Sequence, residues 1–467
     1  MRSRSPRAGR CTRAPGAAVH ASACNHLAVV STALLTDHYE LTMLDAALAS
    51  GAAERQAVFE VSARHLPAGR SYGVVGGVGR LLDAIERFRF GPPELDYLRS
   101  RQFLAPETLD WLGEYRFGGS ITGYPEGEVF FPGSPVLTVE APFGAAVILE
   151  TLVLSILNFD SAVAAAGARM VTAALGRGLI EMGGRRVHEQ AAVAAARMAC
   201  LVGFSATSNL EAARRFGVPT SGTAAHAFTL AHDDEEAAFA AQLARLGIKT
   251  TLLVDTFDVQ QGIHRAVAAA RAFGAPGPGA VRIDSGDLAA EARNARALLD
   301  ALGATSTGIV ASGDLDEFSL AALADAPIDA YGVGTKLVTG SGAPTAEMIY
   351  KLVAVAAGSG TDAPMRPVEK RSLAKETIGG RKRAWRVLDS AGVARQELLV
   401  VGAADAELPL GAFPLQVSLV ENGEIVHRPS LEQIGAHHQR AKRQLPPEAH
   451  DLRAATTALT PIVVHDG

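Results

Sequence analysis

Two carboxylates flank a turn in Arg282-Ile283-Asp284-Ser285-Gly286-Asp287, where an apolar run ends. Carboxylates placed there can grip ribose hydroxyls or hold the Mg²⁺ that a diphosphate carries. Gly286 lets the backbone approach a ligand closely. The same residues also suit an Asx-turn that caps a following helix. Ser312-Gly313-Asp314 and Gly332-Val333-Gly334-Thr335 are shorter tips with exposed backbone N–H groups, and such groups ahead of a helix bind phosphate. Each is also an ordinary tight turn; two in succession favour a phosphorylated sugar. His226, in SGTAAHAF, either fills a core position or accepts a phosphoryl group as a nucleophile at the mouth of a phosphate site. Arg185 and Arg186 offer bidentate forks to a carboxylate or phosphate, or form a solvated pair. Thr207, Ser208 and Asn209 bring polar groups to a further tip.

The elements that must position these groups follow a rhythm. From Leu179 to about Val355, short β-rich runs end in polar or Gly-rich tips, and Ala-rich helical stretches follow most of them. The tips are LIEMGGRR, VGFSATSN, VPTSGTAAH, TTLLVDTFD, VRIDSGD, GIVASGD and IDAYGVGT. The later ones recur at roughly the length of a β/α unit, and a chain of such units builds a parallel sheet, open or closed into a barrel. Either form gathers functional groups at the C-terminal ends of its strands, where all these tips sit. Upstream, Asp37–Ala49 has helical spacing at Leu41, Leu44 and Leu48, and Gln56–Ala63 alternates like a strand. Gly118–Ala141 reads as short antiparallel strands, and the apolar stretch after it as two long buried helices joined near Asn158–Asp160. Beyond Gly358, the basic stretch from Arg366 to Arg386 reads as a solvated loop, or as an electrostatic funnel for polyanionic substrates. Strand-like pieces and a charged helix near Leu431–Gln444 follow. The expected division is therefore a disordered Arg-rich extension (1–30), an N-terminal α+β domain (31–143), a β/α-barrel catalytic domain (144–357) and a C-terminal extension packing on the body (358–467).

Composition narrows the function. With 467 residues, 48% hydrophobic and 20% charged, the chain can bury a large core and is not a mostly disordered protein. A net charge of −5 gives no case for nucleic-acid binding. The three cysteines, Cys11, Cys24 and Cys200, show no CxxC or zinc spacing, so a reducing, cytoplasmic setting is the simpler reading. No membrane span is expected, because the apolar run Ala145–Phe159 is broken by Glu150 and is shorter than the roughly 20 residues a bilayer needs. The leader carries Arg2, Arg4, Arg7, Arg10 and Arg13 and lacks an apolar h-region, which argues against a secretory signal; besides a disordered extension, a start codon set too far upstream and an organelle-targeting peptide are the other readings.

Taken together, LLTDHYELTM, EGEVFFPGSPVLTVE, EMGGRR, GFSATSNLEAARRFGVPTSGTAAHAF, TTLLVDTFD, VRIDSGDL, SGDLDE and AYGVGTKLVT resemble the nicotinate phosphoribosyltransferase family, in the family's order, from about Leu35 to the C-terminal region. The resemblance implies an α/β fold: an irregular β/α-barrel body of the type II phosphoribosyltransferase kind, with a second α+β domain built from N- and C-terminal segments. It implies condensation of nicotinate with phosphoribosyl pyrophosphate, coupled to ATP hydrolysis, with Mg²⁺ required, in a homodimer with shared active sites. His226 matches the histidine phosphorylated from ATP, and Asp284 the acid that holds the ribose. Tyr39 matches the aromatic that stacks on the pyridine ring from the neighbouring subunit. Thr223 and Arg282 match nicotinate contacts, with Arg185 close to the same pocket. Ser208 stands where nicotinamide-using relatives place an aspartate, which favours the acid over the amide. Ser285, Gly286, Asp287, Ser312, Gly313, Asp314, Gly332, Gly334 and Thr335 match the phosphoribosyl-diphosphate region.

Two positions depart from the family. Met182 replaces an aromatic ring common in relatives, and Ala227 replaces a serine after the key histidine. Rival readings are a nicotinamide or quinolinate phosphoribosyltransferase, a sugar-phosphate aldolase or isomerase, and a regulatory homologue with a dead site. Ser208 speaks against nicotinamide, and the phosphorylatable histidine against quinolinate. The aldolase reading lacks a catalytic lysine at a strand end, since Lys249 precedes its strand, and the last is disfavoured by the presence of His226, Arg282 and Asp284.

Overall fold

A computed structural model describes residues 30–358, 363–369, 378–402, 408–454 and 456–465; the Arg-rich leader, Val30 apart, lies outside them. Six parallel strands form the sheet expected of the β/α units, in the order Ala206–Thr207, Gly178–Glu181, Ala330–Val333, Gly308–Ser312, Ala280–Ile283, Thr251–Leu253. No pairing joins its two edge strands among the described residues, so the sheet curls without closing. The helices that cover it repeat small apolar residues at helical spacing. Val259–Ala272 buries Ile263, Ala266, Val267 and Ala270, and Leu288–Ala301 buries Ala292, Ala295 and Leu299. Polar residues at the tips start these helices. Asn209, Asp258, Asp287 and Asp316 each accept a backbone N–H from the first turn that follows.

The tip VPTSGTAAH is not the end of a strand. Only a single bridge, Thr207 to Thr220, is made there, because Pro219 has no N–H to continue a ladder.

The second domain rests on a seven-stranded antiparallel sheet, ordered Met365–Pro367, Met348–Ala356, Gln56–Ala63, Leu137–Pro142, Ser120–Gly123, Val417–Glu421, Glu424–Ile425. N- and C-terminal segments thus share one sheet. The barrel boundary at 357 moves accordingly: Met348–Ala356 pairs along the whole of Gln56–Ala63, so the chain has already crossed into the second domain there. A further sheet holds Ala412–Pro414, Lys382–Leu388, Ala394–Val401 and Ile462–His465.

Glu150–Ala173 is one unbroken helix, not two. Asn158 makes no turn; its side chain accepts Met348 N at 2.8 Å and donates to Met348 O at 3.1 Å. Asp160 is fully buried against Arg80 at 2.5 Å. With its short preceding helix, the segment Phe143–Ala173 is long and apolar enough to cross a membrane by length and composition, a capacity hidden by counting only the uncharged run. Here its apolar residues are taken up by both hydrophobic cores.

The basic stretch is not simply a solvated loop where it is described; residues 370–377 within it lie outside the described residues. Lys382 is buried against Glu60 at 2.9 Å, and the fully buried Arg386 lies 2.5 Å from Glu128 and 3.0 Å from Glu397. These arginine and lysine stems fasten the C-terminal sheet to the N-terminal domain. Removing one partner would strand a buried charge, at a cost of about 3–5 kcal/mol.

The charged helix appears as Leu431–Arg443, and it buries His438 completely. Nδ1 lies 2.9 Å from Gly127 O, while the buried Nε2 has no partner among the described residues. Burial, opposed by that backbone bond and aided by the Lys442 charge, pushes the imidazole pKa down from 6.5 to about 4. The folded chain therefore binds fewer protons than the unfolded chain between these values. The stabilisation is complete above about pH 6.5 and is lost as pH falls towards 4, by roughly 3 kcal/mol from this group. Urea unfolding at stepped pH should show that loss. It should be shallower in His438→Gln, which keeps a donor for Gly127 and does not titrate.

Candidate functional site

The C-terminal rim of the parallel sheet collects the polar tips, and a few carboxylates hold them in place. Arg282 precedes the last residue of its strand; its Nη1 donates to Thr223 Oγ1 at 2.8 Å and its Nη2 lies 4.0 Å from Asp284 Oδ1. Its Nε is buried and unpartnered among the described residues. The Ser312 hydroxyl donates to Asp284 Oδ1, which ties two neighbouring strand ends. Asp284 N and Ser285 Oγ donate to Asp255 Oδ2 at 2.8 and 2.9 Å, tying a third. The other oxygen of Asp255 is buried with no partner among the described residues. His226 opens a short helix, and its Nδ1 lies 3.2 Å from Thr256 Oγ1, next to Asp255. Thr223, His226, Arg282, Asp284, Ser285 and Ser312 are thereby joined through one network of tips.

Asp255 and Thr256, both in the TTLLVDTFD tip, are not among the residues that motif reading singles out. The available signal was an acid immediately after an apolar run, as at Asp284.

The phosphate-type tips differ in how tightly they are built. Gly313 has φ +124°, and a Cβ there would stand 2.6 Å from Asp284 O, so only glycine fits. Asp314 follows in the left-handed region with φ 48°. Thr335 Oγ1 lies 3.5 Å from Asp314 Oδ1, a long contact. Gly286 is also left-handed, and Asp287 uses one oxygen to cap the next helix at Ala290 N, 3.1 Å away. Gly332 and Gly334 lie against Met182, whose sulfur occupies the space beside Gly332. The departure at Met182 thus places a thioether at the rim.

Arg185 and Ser208 are exposed, and the Arg185 side chain has no polar partner among the described residues. Beneath them lies a further acid that no motif marks. Glu181 is fully buried and accepts from Gly183 N and Thr207 Oγ1. Tyr39 is placed differently from the rest. It is 47% exposed on the second domain, where partial burial and the charges of Glu150 and Glu40 push its phenol pKa up. No hydrogen bond or ring contact joins it to the rim among the described residues.

The rim therefore offers carboxylates for hydroxyls, Gly-rich N–H groups for phosphate, an arginine fork, and a histidine with one ring nitrogen engaged. That set suits transfer of a phosphorylated sugar to a small anionic acceptor.

Comparison with known proteins agrees with this set. Residues 34–158 match the nicotinate phosphoribosyltransferase (NAPRTase) N-terminal domain model, and residues 178–382 the NAPRTase family model. A Mycobacterium tuberculosis nicotinate phosphoribosyltransferase, pncB1, is 58% identical over 374 residues, covering 78% of this chain and 80% of its own. The Bacillus subtilis nicotinate phosphoribosyltransferase is 37% identical over 366 residues, covering 77% and 74%. The crystal structure of human nicotinic acid phosphoribosyltransferase superposes with a TM-score of 0.78 at 25% identity, covering 92% of this chain and 97% of that one. The nicotinate-nucleotide pyrophosphorylase of Pyrococcus furiosus shares the fold, with a TM-score of 0.71 at 24% identity over 90% and 98%.

Gly313 yields a direct expectation. A side chain there meets both a forbidden φ and the Asp284 carbonyl, so Gly313→Ala must displace the tip or strain it by about 1–3 kcal/mol. Transfer activity (kcat/KM for the phosphoribosyl donor) should fall at least about tenfold, with thermal stability reduced by no more than that strain.

Proposed function

The chain belongs to the nicotinate phosphoribosyltransferase family, and we propose that it converts nicotinate, phosphoribosyl pyrophosphate, ATP and water to nicotinate mononucleotide, diphosphate, ADP and phosphate. The observation that carries the reading is the adjacency of Arg282–Thr223 and Asp284–Ser312 at one strand end. One pair serves an aromatic carboxylate, the other a ribose. Such a product is the entry point for NAD salvage from nicotinate.

The chemistry follows from the groups present. The pyridine nitrogen attacks C1 of the ribose as the C1–oxygen bond breaks, and the bonding pair leaves with diphosphate. That nitrogen carries no proton at pH 7, so no general base is required. Arg282, fixed by Thr223, presents its guanidinium to the nicotinate carboxylate. Ser208 adds no repelling charge. Asp284, oriented by Ser312, grips the ribose and faces the positive charge that develops on it.

Asp255 and Asp284 fit a divalent cation that arrives with the diphosphate, since Asp255 has an oxygen without a partner. No cluster of three or more His, Cys, Asp or Glu side chains makes a ready cage among the described residues. Mg²⁺ is commonly held by one or two carboxylates plus substrate phosphates, and when bound it offsets charge on the leaving diphosphate.

His226 is the phosphoryl acceptor in this reading. Thr256 engages Nδ1, which leaves Nε2 to attack the γ-phosphorus; the bond to ADP breaks, and water later releases phosphate. The site is completed by a second copy of the chain, whose Tyr39 covers the pyridine ring.

The protein should turn over nicotinate in preference to nicotinamide, faster with ATP than without. His226→Ala should abolish ATPase activity and acid-labile labelling from γ-labelled ATP, while slow ATP-independent transfer survives. Label persisting in that variant would remove His226 from the role.

Mixing tests the shared site. After subunit exchange, Tyr39→Ala and His226→Ala chains should together recover up to about a quarter of the wild-type ATP-coupled activity, since half the dimers are mixed and each has one intact site. Recovery no greater than the sum of the separate variants, with exchange confirmed, would place Tyr39 outside the partner's site.

A further inference from the structure

We infer that Glu181 is a positioning residue that sets the spacing between Arg185 and Ser208, and thereby the affinity for the acceptor's carboxylate; this rests on the function proposed above. The strand Gly178–Glu181 ends in this fully buried carboxylate. One oxygen accepts Gly183 N, in the turn that leads to Arg185. The other accepts the Thr207 hydroxyl, on the neighbouring strand that leads to Ser208. The main-chain oxygen of Glu181 also accepts Ser208 N at 2.8 Å.

The direction of these bonds is fixed. Thr207 Oγ1 accepts Asn209 N at 2.9 Å, so its own proton is aimed at Glu181. Two carboxylate oxygens thus face two donors, which act against the larger upward push that burial gives the Glu181 pKa. No cation pairs with it among the described residues. The Gly183 turn has no room to drift, because a Cβ on Gly183 would collide with Val338 and stand 3.0 Å from Glu181 Oε1. The turn is wedged between the helix Thr335–Val338 and the carboxylate. One buried side chain therefore holds two exposed tips at a set separation without itself reaching the rim.

Thr207→Val removes one of the two clamps and keeps the side-chain volume, while Thr207→Ser keeps the hydroxyl. Glu181→Gln turns one acceptor into a donor and leaves Gly183 N or the Thr207 hydroxyl unpaired. Steady-state kinetics with nicotinate and phosphoribosyl pyrophosphate varied separately, alongside thermal melts, read the outcome. In Thr207→Val the nicotinate KM should rise roughly tenfold, with kcat and the phosphoribosyl pyrophosphate KM within about twofold of wild type, and Thr207→Ser should restore the nicotinate KM. Glu181→Gln should shift the same constant in the same direction where it folds. An unmoved nicotinate KM in Thr207→Val, equal rises for both substrates, or no rescue by Thr207→Ser would overturn the clamp while the function stands. Failure of the wild-type protein to use nicotinate would overturn the functional reading, and this inference with it.

Discussion

A single helix, Glu150–Ala173, has to lie in two hydrophobic cores at once, and the placement of the site depends on that. Leu152, Val153, Ile156 and Leu157 belong to the core of the second domain, while Val163, Ala164, Ala168 and Met170 belong to that of the barrel. The change of partner falls at Asn158 and Asp160, where a kink would be the cheap solution for a helix alone. Here Asn158 is satisfied from outside by Met348, one Asp160 oxygen is paired with Arg80 while the other is buried without a partner among the described residues, and the helix runs through unbroken. A continuous helix is a stiff spacer. Further along it, Arg169 reaches Glu317 Oε1 at 3.0 Å, and Arg70 from the second domain reaches the same oxygen at 2.7 Å. Glu317 stands just after the Ser312–Asp314 tip, so one helix and one buried carboxylate fix that tip relative to both domains.

Carboxylates recur as the fixing device at the rim, mostly without cations of their own. Asp255 is held by Asp284 N and Ser285 Oγ, and Glu181 by Gly183 N and Thr207 Oγ1. Arg282 comes no closer than 4.0 Å to Asp284. An acid held by N–H and O–H donors keeps its geometry without consuming an arginine. Arg282 and Arg185 therefore remain available to an anionic ligand. Groups fixed in this way need no rearrangement when charge develops nearby, which is the condition under which electrostatic stabilisation is most effective.

What the sequence made legible was local. Helical spacing at Leu41, Leu44 and Leu48 reports a helix because neighbours on one face must be apolar, and the strand tips are marked by Gly and Asp because turns and helix caps need them. Non-local pairing left no such mark. Met348–Ala356 looks like one more barrel strand until it meets Gln56–Ala63. Lys382 and Arg386 belong to a charge run that reads as solvated, since nothing local announces Glu60, Glu128 or Glu397 as their partners. Glu181 and Asp255 escaped for a related reason. Each works by bonding to another strand's end, and residue type alone does not distinguish such an acid from a solvated one.

Tyr39 shows the same limit at the scale of the whole molecule. Its motif is legible, yet within one chain it meets Glu150 and not the rim. Leu35 beside it is 59% exposed, as is the apolar side of the rim, where Leu210, Leu230 and Phe257 are 76%, 63% and 64% exposed. Two separate apolar sets on one chain, one on each domain, are what a twofold arrangement can cover by placing each against the other. An isologous contact would bury both sets twice over and bring an aromatic ring to each open mouth. The proposed dimer would thereby cover the exposed apolar side chains at the rim. The long helix would set how far apart the two sets lie, so the same stiffness that orders one chain's site would also determine where its partner has to sit.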